Sequence, residues 1–189
     1  MSAPRLRGGR LVALLATAAV ALGIATTGLL AAAGAFRGPA SAARCTVPAL
    51  PGRVVDVTTA DMGRGMMGGA GPYGMGMMRL STSPAAVGAG TVSLRVFNAG
   101  ARPHEVVVLP LPAGQATGQR AIGADGEVDE SGAVGEASRS CGADSGDGIA
   151  SGATGWTTLT MQPGRYELLC NLPWHYAAGM YAELDVTGR

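Results

Sequence analysis

The pattern of apolar and polar positions beyond residue 50 predicts a series of short β-strands. Segments 53–59 and 91–98 alternate apolar with polar residues or are rich in β-branched side chains, and 105–109 is a short continuous apolar run. Similar patterns occur at 156–161, 165–170 and 180–186. Glycine and proline separate these segments, and no long amphipathic helix lies between them. We therefore predict an all-β fold, an antiparallel β-sandwich.

The first 44 residues have a different character. Arg5, Arg7 and Arg10 precede an apolar run, 11–36, that is broken only by glycine and three threonines. As a helix this run spans about 39 Å, which exceeds the roughly 30 Å hydrocarbon core of a bilayer. Its length favours an uncleaved transmembrane anchor, whereas the small residues at 40–42 are a plausible cleavage site. Residues 1–44 are thus predicted to be a signal peptide or an N-terminal apolar helix that anchors the chain in the membrane, followed by a linker.

Either alternative places the remainder, 45–189, outside the cytoplasm. This part has the length of one domain and carries nine arginines against 13 acidic residues, a net charge of −4. Lysine is absent from the chain, and neither a basic patch nor an aromatic-rich strand is evident. The composition therefore argues against a nucleic-acid partner.

One loop near the C-terminus concentrates metal-binding chemistry. It places Cys170, His175 and Met180 at four-and-four spacing, and His104 is the chain's other histidine. A thiolate, two imidazoles and a long axial thioether are the ligands of blue-copper electron-transfer sites. Each residue alone has an ordinary structural explanation, such as a buried cysteine in an apolar strand end. Their joint occurrence predicts one copper ion per chain, and the alternative is a metal-free sandwich.

The order of these residues resembles that of the cupredoxins, the type 1 blue-copper proteins, from about residue 53 to the C-terminus. Members carry a histidine on one strand, followed by Cys, His and Met on the loop between the last two strands. The four-and-four spacing is similar to that of rusticyanin-like and sulfocyanin-like members. The resemblance implies a Greek-key sandwich with copper bound by His104, Cys170, His175 and Met180. Many members place Asn or Ser directly after the first histidine, a position that Glu105 occupies here.

The resemblance also implies outer-sphere electron transfer through the edge of the histidine on the loop. Redox protein partners are then expected to dock near His175, on a patch formed by Leu172, Pro173, Trp174, Tyr176 and Ala177. Copper oxidases and nitrite reductases need further histidine-rich copper sites, which two histidines cannot supply. We therefore expect a carrier rather than an enzyme.

The remaining cysteines, Cys45 and Cys141, form an even pair. An oxidising compartment is expected to join them in a disulfide. Such a bond would close a loop of nearly a hundred residues and stabilise the fold by up to about 4.7 kcal/mol in the chain-entropy model. The alternative is two unrelated thiols.

A methionine- and glycine-rich segment, 62–78, follows the first predicted strand. It holds six of the nine methionines, Met62, Met66, Met67, Met75, Met77 and Met78. Thioether sulfur favours Cu(I), so these residues are candidates for accessory Cu(I) contacts. The alternative is a mobile loop whose methionines cover the sandwich or contact a partner.

A second insertion, 112–152, carries seven acidic residues and two arginines. Such a segment can steer a positively charged redox partner, or it can be a solvated loop held by Cys141. Three functions remain open from the sequence. They are an electron carrier, a copper storage or delivery protein that uses the methionine-rich segment, and a structural sandwich with a vestigial site.

Overall fold

The computed structural model describes residues 45–61 and 77–188, and within these ranges the chain forms nine β-strands and no helix. The strands are β1 (Arg53–Asp61), β2 (Met78–Ser83), β3 (Ala86–Gly88), β4 (Gly90–Asn98), β5 (Val106–Pro110), β6 (Gly135–Ala137), β7 (Thr154–Met161), β8 (Gly164–Leu169) and β9 (Tyr181–Thr187). The predicted apolar helix at 11–36 lies outside the described residues. Within them, no helix is long and apolar enough to cross a bilayer.

The strands form two sheets. One has the order β2-β1-β4-β7, and the other has the order β3-β9-β8-β5-β6. The prediction of an all-β sandwich is therefore confirmed. Every segment predicted as a strand overlaps an observed one, whereas β2, β3 and β6 were not predicted.

The expectation of purely antiparallel pairing is wrong for two strand pairs. β1 pairs with β4 in parallel, and β3 pairs with β9 in parallel, while the other pairs are antiparallel. The reason is that the chain crosses to the second sheet as β3 before it returns to the first as β4, running in the same direction as β1. The return is tight, and Gly90 has a φ of +118°, a conformation that glycine adopts without steric cost.

The main hydrophobic core lies between the two sheets. Alternation places Val55 and Val57 of β1 inward, and they join Leu94, Leu168 and Leu184 in one buried cluster. The period of two in these strands thus produces one apolar face for each sheet. This core surrounds the strand ends from which the predicted ligands extend, because Cys170 and Met180 belong to the same cluster.

A second apolar cluster lies around β5 and explains why that strand is apolar throughout. Val107 and Leu109 pack with Val128, Leu169 and Tyr176, and all five are buried. Val128 belongs to the acidic insertion, which therefore covers part of this sheet rather than extending into solvent. The insertion is also tied to the sandwich by the predicted disulfide Cys45–Cys141, which the structure contains.

Candidate metal centre

His104 is placed by the turn that follows β4. The Asn98 side chain donates hydrogen bonds to the carbonyls of Arg102 and Ile149, both at 2.7 Å. His104 and Ile149 then exchange backbone hydrogen bonds as an isolated antiparallel bridge. These contacts fix the backbone immediately before β5 and leave the imidazole fully buried.

The loop from Cys170 to Met180 is closed by its own backbone. The Cys170 N–H donates to the Met180 carbonyl at 3.0 Å, so the two ends of the loop are directly paired. The Met180 N–H donates in turn to the His175 carbonyl at 3.2 Å. Three residues of the predicted ligand set are therefore held on one compact loop between β8 and β9.

The structure brings the predicted nitrogen and sulfur ligands together. Nδ1 of His175 lies 3.3 Å from Nδ1 of His104 and 3.2 Å from Sγ of Cys170. The ligand atoms of these three buried residues all lie within 4.8 Å of one another. Met180 is also fully buried, at the end of the same loop.

Burial determines the protonation of this cluster. It lowers the pKa of His175 to about 4, with a further contribution from His104, and it lowers the pKa of His104 despite the opposing effect of Asp61. Burial also raises the pKa of the Cys170 thiol to about 12. At neutral pH the metal-free cluster therefore has two neutral imidazoles and a thiol.

This donor set fits copper. Two neutral imidazoles each offer a nitrogen lone pair, and the thiol supplies a soft thiolate once it loses its proton. His104, Cys170 and His175 would hold the ion, and Met180, at the end of the same loop, is the candidate for a thioether ligand. The cluster is buried, and the loops that carry it are fixed by backbone hydrogen bonds.

Glu105 joins the segment that carries His104 to the segment that carries Cys170. Its Oε1 accepts the Asn171 N–H at 3.1 Å, and its own N–H points to Cys170 Sγ at 3.4 Å. The Asn171 side chain donates to Glu130 at 2.7 Å. Burial, together with the charges of Glu130, Glu136 and Glu127, raises the pKa of Glu105 to about 7.

Asp61 is a contact of the site that the sequence did not reveal. Its Oδ1 lies 2.9 Å from Nε2 of His104 and accepts the N–H groups of Ala101 and Arg102. Burial alone would raise its pKa, but these hydrogen bonds outweigh that effect and the pKa lies below its usual value. No spacing rule connects the last residue of β1 with a histidine 43 positions later. The available signal was an acidic residue at a strand end.

The surface around His175 is mainly apolar. Pro173 is exposed, Leu172, Trp174 and Ala177 are half-buried, and His175 itself is 7% exposed. Tyr176, which was expected in this patch, is buried instead. Its hydroxyl donates to Glu167 at 3.0 Å and accepts the Arg120 N–H.

The methionine-rich segment is described only at its end. Met62, Met66, Met67 and Met75 lie outside the described residues, so the accessory Cu(I) contacts stay a prediction. Met77 is 68% exposed, whereas the side chain of Met78 packs in the main core. The Met78 N–H donates to the Ala178 carbonyl of the ligand loop at 3.2 Å, so the segment returns to the sandwich beside the site.

Solved structures that align with this chain include rusticyanin and auracyanin. Reduced rusticyanin aligns with 18% identity and a TM-score of 0.42 over 76% of this chain and 88% of its own. Rusticyanin from Thiobacillus ferrooxidans aligns with 18% identity and a TM-score of 0.41, over 76% of this chain and 86% of its own. Dithionite-reduced auracyanin from Roseiflexus castenholzii aligns with 17% identity and a TM-score of 0.41, over 73% of this chain and 98% of its own. No curated protein matches the chain in sequence.

The sequence profile of one protein family matches more than half of the chain. Residues 72–187 match the copper-binding proteins of the plastocyanin/azurin family. The matched range contains all four predicted ligands, three of which converge in the structure. The chain therefore belongs to the plastocyanin/azurin family of copper-binding proteins.

Proposed function

We propose that the protein is an exported mononuclear blue-copper protein that carries single electrons between redox partners. The observation that carries this proposal is the convergence of His104, His175 and Cys170 in one buried cluster. Cupredoxins typically carry electrons, which supports the same function. A copper ion supplies a one-electron couple in such a site.

The residues of the chain perform the other tasks. The backbone bonds within the loop hold Cys170, His175 and Met180 in place, so little rearrangement accompanies a change of charge. Burial excludes water from the ligand atoms. His175 offers the route to the surface, because it is 7% exposed whereas His104, Cys170 and Met180 are fully buried.

We propose that a redox partner docks on this apolar patch. The acidic insertion borders it, since the Trp174 N–H donates to the Gly126 carbonyl at 2.9 Å. Asp125 and Glu127 flank that glycine. A partner with a basic rim around an apolar centre fits this arrangement, and its association should weaken as salt rises.

Export is supported by the disulfide, since structural disulfides persist mainly in oxidising compartments. The apolar run at 11–36 then serves as the membrane anchor or as a cleaved signal. Cell fractionation and the intact mass of the mature chain separate these two outcomes. Recovery of full-length protein with reduced Cys45 and Cys141 from the cytoplasm would contradict export.

The visible spectrum of copper-loaded protein tests the main proposal. We expect an intense thiolate-to-copper band in the oxidised protein that disappears on ascorbate reduction and in Cys170→Ser. The double variant Cys45→Ser/Cys141→Ser is the matched control, because it removes the other two cysteines and leaves Cys170. A colourless copper-loaded wild-type protein would refute the blue-copper function.

Copper delivery is the second candidate, and the position of the methionine-rich segment favours it. Asp61, which precedes that segment, contacts His104, and Met78 at its end contacts Ala178 of the ligand loop. Methionine thioethers of a segment attached at these two points could receive Cu(I) from the site. Replacement of residues 62–76 by a short glycine linker separates the two functions while leaving Asp61 and Met78 in place.

A carrier should keep its colour and reversible voltammetry after this replacement. It should also keep its copper in the presence of a Cu(I) chelator. A delivery protein should instead lose copper transfer to an acceptor while retaining electron transfer. The second outcome would change the assignment.

A further inference from the structure

Asp61 and the metal site lie on opposite sides of the His104 ring. Nε2 is 2.9 Å from Oδ1 of Asp61, whereas Nδ1 is 3.3 Å from Nδ1 of His175. A carboxylate can only accept a hydrogen bond, so Nε2 must carry the ring proton. The lone pair then lies on Nδ1, the atom that faces Cys170 and His175.

The Asp61 carboxylate is itself held in place. The same Oδ1 accepts the N–H of Ala101 at 2.7 Å and that of Arg102 at 3.2 Å. The side chain is 6% exposed, and its backbone is the last position of β1. The carboxylate is thus oriented by the turn that also leads into His104, and it needs no movement to meet the ring.

Gly100 leaves the room for this contact. A methyl group at Gly100 would overlap Oδ1 of Asp61 and would come within 2.8 Å of Nε2 of His104. The Gly100 N–H donates to Asn98 Oδ1 at 2.8 Å, which keeps the turn in this position. The absence of a side chain at Gly100 therefore lets the buried Asp61 carboxylate reach His104, the first predicted ligand.

We propose that Asp61 is the positioning residue of the copper site, which fixes the Nε2–H tautomer of His104 and strengthens Nδ1 as a donor to Cu(II). This inference rests on the proposed copper function. An anion bonded to the far nitrogen raises the electron density of the ring, as carboxylate partners of metal-bound histidines do. Its negative charge also favours Cu(II) over Cu(I), since the former has the higher positive charge.

The metal-free protein provides the first test, by long-range proton–nitrogen NMR of the His104 ring. Wild-type protein and Asp61→Asn should both carry the proton on Nε2, because the amide oxygen still accepts it. In Asp61→Ala and Gly100→Ala that proton should exchange with solvent at least about tenfold faster, since the carboxylate is lost or displaced. A wild-type ring with its proton on Nδ1, or unchanged exchange in both variants, overturns the proposal.

Copper affinities provide the second test, by chelator competition for each oxidation state. Asp61→Asn should bind Cu(II) about 10–100-fold more weakly, as loss of such partners does elsewhere. The loss for Cu(I) should be at least tenfold smaller, which corresponds to a reduction potential higher by about 59 mV or more. Asp56→Asn is the matched control, because Asp56 lies on the same strand and pairs with the exposed Arg95.

The outcomes separate this inference from the proposed function. A blue wild-type protein in which Asp61→Asn and Asp56→Asn keep the same ratio of Cu(II) to Cu(I) affinity overturns the role of Asp61 and leaves the carrier function standing. A wild-type protein that binds no copper overturns the function, while the NMR experiment still reports on the ring contact. Because Asp61→Asn retains the acceptor for Ala101 and Arg102, it tests the charge without removing the turn contacts.

Discussion

The carboxyl group of Glu105 accepts a hydrogen bond from the backbone N–H of Asn171 at 3.1 Å. It therefore joins the residue after His104 to the residue after Cys170, the first two predicted ligands. A carboxyl group in this position brings a titratable charge close to the metal site, among Glu127, Glu130 and Glu136. An amide or hydroxyl group at this position would make the same connection without adding a titratable charge.

The first prediction concerns the stability of the metal-free protein. The pKa of Glu105 is raised from 4.5 to about 7, so the folded state favours the protonated form. Its contribution to stability is fully present below pH 4.5 and is lost as pH rises through 7. The free energy of unfolding of wild type, relative to Glu105→Gln, should therefore be lower at pH 8 than at pH 5. Urea unfolding at the two pH values measures this, and parallel pH profiles would contradict it.

The second prediction concerns protons released on copper binding. Both imidazoles are already neutral at pH 8.5, while the Cys170 thiol, with a pKa of about 12, is not ionised. Binding should release one proton per copper, so affinity should rise about tenfold per pH unit. Indicator titration at pH 8.5 keeps Glu105 ionised and removes its contribution. Release of two protons would show that an imidazole remains charged in the metal-free site.

The third prediction compares two ion pairs of equal length. Arg120–Glu167 and Arg95–Asp56 both have N–O distances of 2.6 Å, but Glu167 is fully buried and Asp56 is half exposed. Arg120→Met should cost about 3–5 kcal/mol because it leaves a buried charge without its partner. Arg95→Met should cost about 0–1 kcal/mol. Denaturant unfolding checks both values, and similar losses would contradict the role of burial.

The fourth prediction concerns the disulfide, whose cysteines are 96 positions apart. Cys45→Ser/Cys141→Ser should lower the free energy of unfolding by about 2–5 kcal/mol, since the open chain gains conformational freedom when unfolded. Reduction of wild-type protein should produce the same loss. In the oxidised, copper-loaded double variant the thiolate-to-copper band should stay unchanged, and its disappearance there would mean that the disulfide also shapes the ligand loop.

The sequence predicted the strands that carry a strong pattern and missed the short ones. β3 and β6 have three residues each, too few for periodicity to show, and β2 adjoins the methionine-rich run. The burial of all but the last residue of β5 was apparent as an apolar run. The second cluster around Val128, which causes this burial, was not apparent from the sequence, because it depends on where the acidic insertion folds.

The cluster of His104, Cys170 and His175 was predictable because two of its members lie on one short loop and the chain has only two histidines. Asp61 and Glu105 were not assigned their roles, since both depend on contacts between distant segments. Hydrogen bonds of this kind follow from sheet packing and leave no periodic signature in the chain. Tyr176 was misplaced for the same reason, as its partner Glu167 lies on β8.

The order β9-β8-β5 places the strands that border the four predicted ligands side by side in one sheet. From the other sheet, Asp61 contacts His104 and Met78 contacts the ligand loop. The loop from Cys170 to Met180 can therefore be exchanged as one unit, because the hydrogen bond that closes it joins its own first and last residues. Loops from other family members could be exchanged here to vary the metal chemistry, provided that two residues of the opposite sheet are retained: Met78, which contacts the loop, and Asp61, which contacts His104.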